Sequence, residues 1–129
     1  EVAFPAIEKI IKHDAVERVC IASFNSGRLE RIRNKYPQIC TSMGPKEVIK
    51  LVLNSFNLYS KEISGECLQV PIYYYGIKVV TKRFIDFVQS KGLKIIVWTI
   101  NDESTFKELQ KLNVDGVITD IPKKFIEIS

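Results

Sequence analysis

Five short apolar runs, each too brief for a helix and each followed by a polar end that opens a helical pattern, constrain this chain more than any other feature. They occupy residues 18–24 (RVCIASF), 38–43 (QICTSM), 67–72 (CLQVPI), 94–102 (KIIVWTIND) and 114–120 (VDGVITD), and their starts recur every 20 to 29 residues. That spacing holds one strand and one helix rather than a solenoid repeat. Continuous apolar character, as in Val19-Cys20-Ile21, predicts strands covered on both faces, as a parallel sheet under helices requires. Right-handed crossovers would lay the five strands parallel, as an open doubly wound sheet or as an arc of a barrel. Periodicity does not choose between the two.

Helical patterns with readable ends fill the intervals. Residues 6–14 set Ile7, Ile10 and Ile11 on one side, and residues 26–36 repeat Leu29, Ile32 and Tyr36 at helical spacing until Pro37 denies a backbone donor. Pro45 suits the first position of a helix whose broad apolar face is Val48, Ile49, Leu51, Val52, Leu53 and Phe56. That helix is expected to reach Tyr59, before a polar loop over 60–65. Residues 82–91 turn Phe84, Ile85, Phe87 and Val88 inward, and Gly92 is expected in the left-handed conformation that ends such a helix. Asn101 or Asp102 can cap a helix over 103–112, with Phe106, Leu109 and Leu112 on one face, and Pro122 opens a last short helix.

Composition narrows the function classes. A chain of 129 residues, 46% hydrophobic and 26% charged, suits one folded segment with an ordinary core. Its net charge of +4 comes from 19 Lys and Arg dispersed among 15 acidic residues, the pattern of solvated helix faces. No basic stripe is interleaved with aromatics, so nucleic acid is not an expected partner. No apolar run approaches the roughly 18 residues that a membrane helix needs. Cys20, Cys40 and Cys67 lie far apart in sequence, in apolar strand contexts where they would pack as small buried side chains. Their odd count argues against a disulfide framework and points to a reducing, cytoplasmic compartment.

Chemically the chain is sparse. No metal-ligand cluster, glycine-rich phosphate loop or nucleophile-base pairing is visible in the sequence. His13 is the one imidazole, and in Lys12-His13-Asp14 it reads as a solvated side chain at a helix end, not as a catalytic group. The run Tyr73-Tyr74-Tyr75-Gly76 has two readings: an aromatic wall beside a ligand, or a loop that packs its rings over helix ends.

Three phrases in order resemble the glycerophosphodiester phosphodiesterase family: Ile21-Ala22-Ser23-Phe24; Gly92-Leu93-Lys94-Ile95-Ile96-Val97-Trp98-Thr99-Ile100-Asn101-Asp102; and Val114-Asp115-Gly116-Val117-Ile118-Thr119-Asp120-Ile121-Pro122. The resemblance spans nearly the whole chain. It implies a TIM (β/α)₈ barrel of roughly 240 residues, of which residues 1–129 would be a single segment, the last five strands preceded by one helix, and so incomplete. It implies a divalent cation, Mg or Ca, whose ligands are not in this segment. The family's His-Arg-Gly motif, metal-binding carboxylates, second histidine and Glu-Leu-Lys motif have no match here.

Hydrolysis of a phosphodiester needs a cation to neutralise the phosphoryl oxygens, with a base and an acid for the water and the leaving alkoxide. The segment is therefore expected to be inactive alone and to supply the wall of the substrate pocket. On the resemblance, Trp98 and Phe24 fall at strand ends that line the site for the substrate's alcohol portion, and an indole offers an apolar face and one donor. Ser23 either orients a phosphate oxygen or merely closes its strand, and Gln69 is a candidate to point into the barrel mouth. Asn101, Asp102, Thr119 and Asp120 read as turn and cap residues. The alternative to a parent hydrolase of glycerophosphodiesters, yielding glycerol 3-phosphate and an alcohol, is a non-catalytic ligand-binding or interaction module. A barrel arc would also leave two unpaired edges, near residues 19–24 and 116–119, which invite a complementary amino-terminal half or self-association.

Overall fold

The computed structural model describes residues 3–56 and 65–128. Its elements run α1 (Ala3–Lys12), a 3₁₀ turn (Val16–Arg18), β1 (Cys20–Ile21), α2 (Ser26–Lys35), β2 (Cys40–Thr41), α3 (Pro45–Ser55), β3 (Cys67–Val70), β4 (Tyr73–Tyr74), β5 (Ile77–Lys78), α4 (Lys82–Ser90), β6 (Lys94–Val97), α5 (Glu103–Lys111), β7 (Gly116–Val117) and α6 (Pro122–Ile126). All five expected strands are present, each shorter than its apolar run. The predicted extension of α3 over 57–59 and the polar loop over 60–64 lie outside the described residues.

Strand order is what periodicity left open. β1 pairs parallel with β2, a parallel bridge from Ser42 to Cys67 joins β2 to β3, and β3, β6 and β7 pair parallel in that order. Parallel neighbours therefore follow chain order without the reversal that marks a doubly wound sheet. β1 and β7 are the two ends of this arc. The register pairs Leu68 with Ile95 and Val70 with Val97, which puts these four side chains on one face. That face is covered by α3 to α6 through Leu51, Phe84, Ile85, Val88, Phe106, Leu109 and Phe125, all buried. Phe106 and Phe125 stack with ring centroids 4.4 Å apart. Ile7 of α1 and Ile32 of α2 close a smaller core over Ile39.

The expectation of strands covered on both faces is corrected here. Gln69 and Ile96 are only half-buried, because they point away from the helices, and Cys20 and Ile21 on the short β1 are half-buried too, although Ile21 packs against the smaller helical core. Ile11, expected inward on α1, is exposed. The tyrosine run forms a hairpin rather than an irregular loop: Tyr74 pairs with Ile77 across a two-residue turn in which Tyr75 and Gly76 both take positive φ, making β4 and β5. Tyr74 borders the cavity at the strand ends, as the aromatic-wall reading expects. The rings of the run do not cover helix ends, since Tyr75 is 90% exposed.

Caps formed as their chemistry dictates. Asn25, Thr81 and Asp102 each accept a hydrogen bond from a backbone N–H in the first turn of α2, α4 and α5. Pro45 and Pro122 stand at the starts of α3 and α6. Gly92 has φ 73°; its N–H donates to the Gln89 carbonyl and that of Leu93 to the Val88 carbonyl, the paired bonds that close a helix on a left-handed residue. Between α2 and α3, the Arg33 guanidinium donates to both oxygens of Glu47 (2.7 and 3.2 Å), to Thr41 Oγ1 (2.7 Å) and to the Ser42 carbonyl (3.1 Å). One side chain thereby ties two helices to β2.

Candidate functional site

The carboxyl ends of the parallel strands surround a cavity of about 590 Å³. Ser23 and Phe24 reach it from the end of β1, Met43 from beyond β2, Gln69 from β3, Trp98 from the end of β6 and Ile118 from beyond β7. All four residues singled out in the sequence, Ser23, Phe24, Gln69 and Trp98, thus line one space. The edge of one ring meets the face of the other between Phe24 and Trp98, with centroids 6.2 Å apart at 81°. Phe24 is 80% exposed and Trp98 half-buried, so neither is a core residue. The peptide bond between Trp98 and Thr99 is cis.

Most of the remaining wall escaped sequence reasoning. α3 carries apolar side chains nearly all round because it serves two surfaces: Leu51 enters the core, while Ile49 and Leu53, exposed at 47% and 40%, face the cavity with Val48 and Val52. The hairpin contributes Tyr74 and Ile77. The signal for α3 was its excess of apolar residues over what one helix face needs. For the hairpin it was a glycine between two β-formers.

A second, more polar depression shares Ala22, Ser23, Phe24 and Pro45 with the first and extends over Asn25, Ser26, Gly27, Arg28 and Lys46. Ser23 Oγ accepts there from the Asn25 N–H at 3.1 Å and from the Arg28 guanidinium at 3.3 Å. Ser23 therefore does close its strand, and it also brings a cation to the rim. On the far side, Asn101 joins the ends of β6 and β7: its amide donates to Asp120 Oδ2 at 2.7 Å and its carbonyl oxygen accepts from Thr119 Oγ1 and the Asp120 N–H. Asp102 caps α5, and the Thr105 N–H it accepts holds its carboxyl below the usual range. These are the turn and cap roles read from the sequence. His13 is exposed, with Nδ1 2.8 Å from the Lys9 carbonyl.

Among the described residues, no carboxylate lines the cavity. Mg²⁺ and Ca²⁺ are held chiefly by carboxylate oxygens, so the described cavity residues do not fit either ion. Among the described residues, the side chains that do gather as a potential ligand set are thiols. Cys20, Cys40 and Cys67, far apart in sequence and expected only to pack as small buried side chains, bring their sulfurs within 4.8 Å of one another. The reason is register: Cys20 pairs with Cys40, and the next bridge sets Ser42 beside Cys67. Cys20 and Cys67 Sγ are 3.2 Å apart. This hydrogen bond lowers the Cys67 thiol to about 7 and raises that of Cys20, whereas burial raises Cys40.

An apolar pocket at the carboxyl ends of sequentially ordered parallel strands, backed by helices, is the layout of a barrel-type α/β enzyme. The profile of the glycerophosphoryl diester phosphodiesterase family matches residues 3–124, and the chain belongs to that family. It is 28% identical over 130 residues to a glycerophosphodiester phosphodiesterase of Bacillus altitudinis, covering 97% of this chain and 50% of that protein. With one from Caldanaerobacter subterraneus it shares 26% identity, covering 98% of this chain and 51% of the relative. Among solved structures, a glycerophosphodiester phosphodiesterase from Parabacteroides distasonis superposes with a TM-score of 0.63 at 18% identity, over 98% of this chain and 49% of that one. An Oleispira antarctica phosphodiesterase in complex with the product sn-glycerol-3-phosphate gives 0.60 at 19%, over 84% and 40%. The chain spans about half the length of the curated relatives it matches. Among the described residues no helix is long and apolar enough to cross a membrane.

Proposed function

We propose that the protein hydrolyses glycerophosphodiesters to glycerol 3-phosphate and an alcohol, and that this chain supplies the pocket wall while other residues of the polypeptide supply the catalytic groups and the ligands of a divalent cation. The observation that carries the reading is the convergence of Phe24, Trp98, Ser23 and Gln69, from three separate strands, on one cavity at the strand ends. In this reading the five parallel strands are the last five of a (β/α)₈ barrel. The reaction adds water at phosphorus and breaks the bond to the alcohol oxygen, which leaves with a proton. The indole of Trp98 and the ring of Phe24 hold the carbon skeleton by apolar contact, and the indole N–H is free to donate to a hydroxyl or phosphate oxygen. Ser23 and Arg28 at the rim suit the approach of an anion.

The free edges of β1 and β7 pair with the rest of the barrel or, in its absence, with another copy. Three free thiols suit a cytoplasmic location. The test is turnover of glycerophosphocholine with Mg²⁺ or Ca²⁺. The chain alone is expected to be silent, and the full polypeptide, or the chain joined by a complementary amino-terminal half, to be active. Turnover by the chain alone refutes the division of labour. A second reading, a non-catalytic ligand-binding module, is favoured by a cavity wall that shows neither carboxylate nor imidazole among the described residues. An inactive full polypeptide that still binds glycerophosphocholine would establish it.

A further inference from the structure

The three cysteines meet on the first three strands of the arc, which are the most weakly joined: β1 and β2 pair over two residues each, and a single bridge connects β2 to β3. The thiols lie at the amino-terminal ends of β1, β2 and β3 and do not line the 590 Å³ cavity, so the pocket reading gives them no task. We infer that Cys20, Cys40 and Cys67 form a binding site for a soft, thiophilic cation, Cu(I) or Zn(II), that staples β1, β2 and β3 beneath the pocket.

Geometry supports the inference first. A metal about 2.3 Å from each of three sulfurs requires them roughly 3.8–4.0 Å apart, and the three sulfurs lie within 4.8 Å of one another, with the closest pair at 3.2 Å. Small side-chain rotations suffice to seat the ion. The donor set comes next: three thiolates with no imidazole or aspartate among them select Cu(I) or Zn(II) over the hard cations. Cu(I) is satisfied by three sulfurs, whereas Zn(II) seeks a fourth ligand. The Glu66 carboxylate beside Cys40, or water, can provide it.

The surroundings are also those of a ligand set. The Gln69 amide donates to Cys20 Sγ at 3.9 Å, and the Ser42 hydroxyl, which donates to the Met43 carbonyl at 3.4 Å, lies beside Cys67 within reach of its sulfur. Such donors offset the negative charge of sulfur once the metal is bound and orient it toward the ion. Each thiol releases its proton to solvent as its sulfur–metal bond forms, so uptake is linked to pH. No electron transfer is involved, and the inference does not rest on the proposed activity, although Gln69 and Ser42 beside the sulfurs also line the pocket.

The test uses the full polypeptide, reduced, freed of small thiols and kept under nitrogen. It is titrated with Cu(I) against a chromophoric competitor and, separately, with Cd²⁺ as a spectroscopic substitute for Zn²⁺. A single equivalent is expected to raise a sulfur-to-metal charge-transfer band and the thermal midpoint, with three sulfurs around the metal by X-ray absorption. Response to both ions supports the site, and response to one identifies its cation. C40A, at a half-buried position, should abolish the band and the thermal shift while leaving the helical circular dichroism and the basal stability of the metal-free protein nearly unchanged. S42A should weaken binding by about 10–100-fold. The inference is overturned if neither ion produces the band, if the band survives in C40A, or if the metal is surrounded by oxygen and nitrogen alone. Should C40A fail to fold, the sulfur count on the unsubstituted protein decides. Phosphodiesterase activity does not enter the readout, so its failure leaves this result standing.

Discussion

The two faces of the strand arc differ in what this chain provides to cover them. Leu68, Val70, Ile95 and Val97, which point toward the helices, are each 1% exposed or less, whereas Gln69 and Ile96 on the other face are half-exposed and Phe24 at its rim is 80% exposed. Both faces carry apolar side chains, so hydrophobicity alone does not explain the contrast. What differs is connectivity: every strand-to-helix crossover delivers its helix to the same side. One face is thereby finished by local connections. The other, with the pocket at one end and the thiols at the opposite end, carries no helix among the described residues.

Truncating the covered face should have the largest effect. Leu68→Ala is expected to cost about 2–5 kcal/mol of unfolding free energy in urea, and Ile96→Ala on the open face less than half of that. Equal losses would erase the distinction between the faces. Next in size, Arg33→Met strands the Glu47 carboxylate and breaks the link between α2, β2 and α3, for a cost of about 2 kcal/mol in the same assay. A loss within experimental error would mean that the smaller core alone holds this corner.

On the open face, Trp98→Ala should leave the urea midpoint within about 0.5 kcal/mol of its starting value while lowering kcat/KM of the full polypeptide toward glycerophosphocholine by about tenfold, or about 1.4 kcal/mol. A collapse in stability would make the indole a core residue after all. The smallest effect concerns acid. Because the folded-state carboxyl of Asp102 is held below its usual range, its contribution is complete above the ordinary carboxylate range and is lost as pH falls through the lowered value. Asp102→Asn keeps a capping side chain, so it should flatten that part of the melting profile against pH without moving the neutral-pH midpoint. An unchanged acid slope would assign the loss to other carboxylates.

Helices were the most legible part of the chain. Their apolar spacing, the prolines at 37, 45 and 122, the helix-ending Gly92 and the cap at Asp102 are local features, and they place the observed ends within a residue or two for α2, α4 and α5, while the caps at Asn25 and Thr81 went unread. Strand lengths were overread, because an apolar run continues into the turn that leaves the sheet. Thus Trp98 to Asp102 belong to the strand-to-helix connection and not to β6. Ser23, Phe24 and Trp98 were found through motif position, Gln69 as a strand residue and Tyr74 within a run that had two open readings, whereas Ile49 and Leu53 were not found, since a helix face does not announce which cavity it borders. The thiol cluster was overlooked for a further reason: Cys20, Cys40 and Cys67 come together only through register between parallel neighbours, and a one-residue slip would turn a side chain to the opposite face.

From its sequence alone this protein is an alternation of strands and helices with an apolar interior and membership in a recognisable family, because those properties follow from side-chain identity and short-range spacing. The tertiary structure decided the order of the strands, the single helix-covered face, the shape of the pocket and the meeting of three sulfurs. Each of these depends on contacts between residues distant in sequence, for which local chemistry sets no distance.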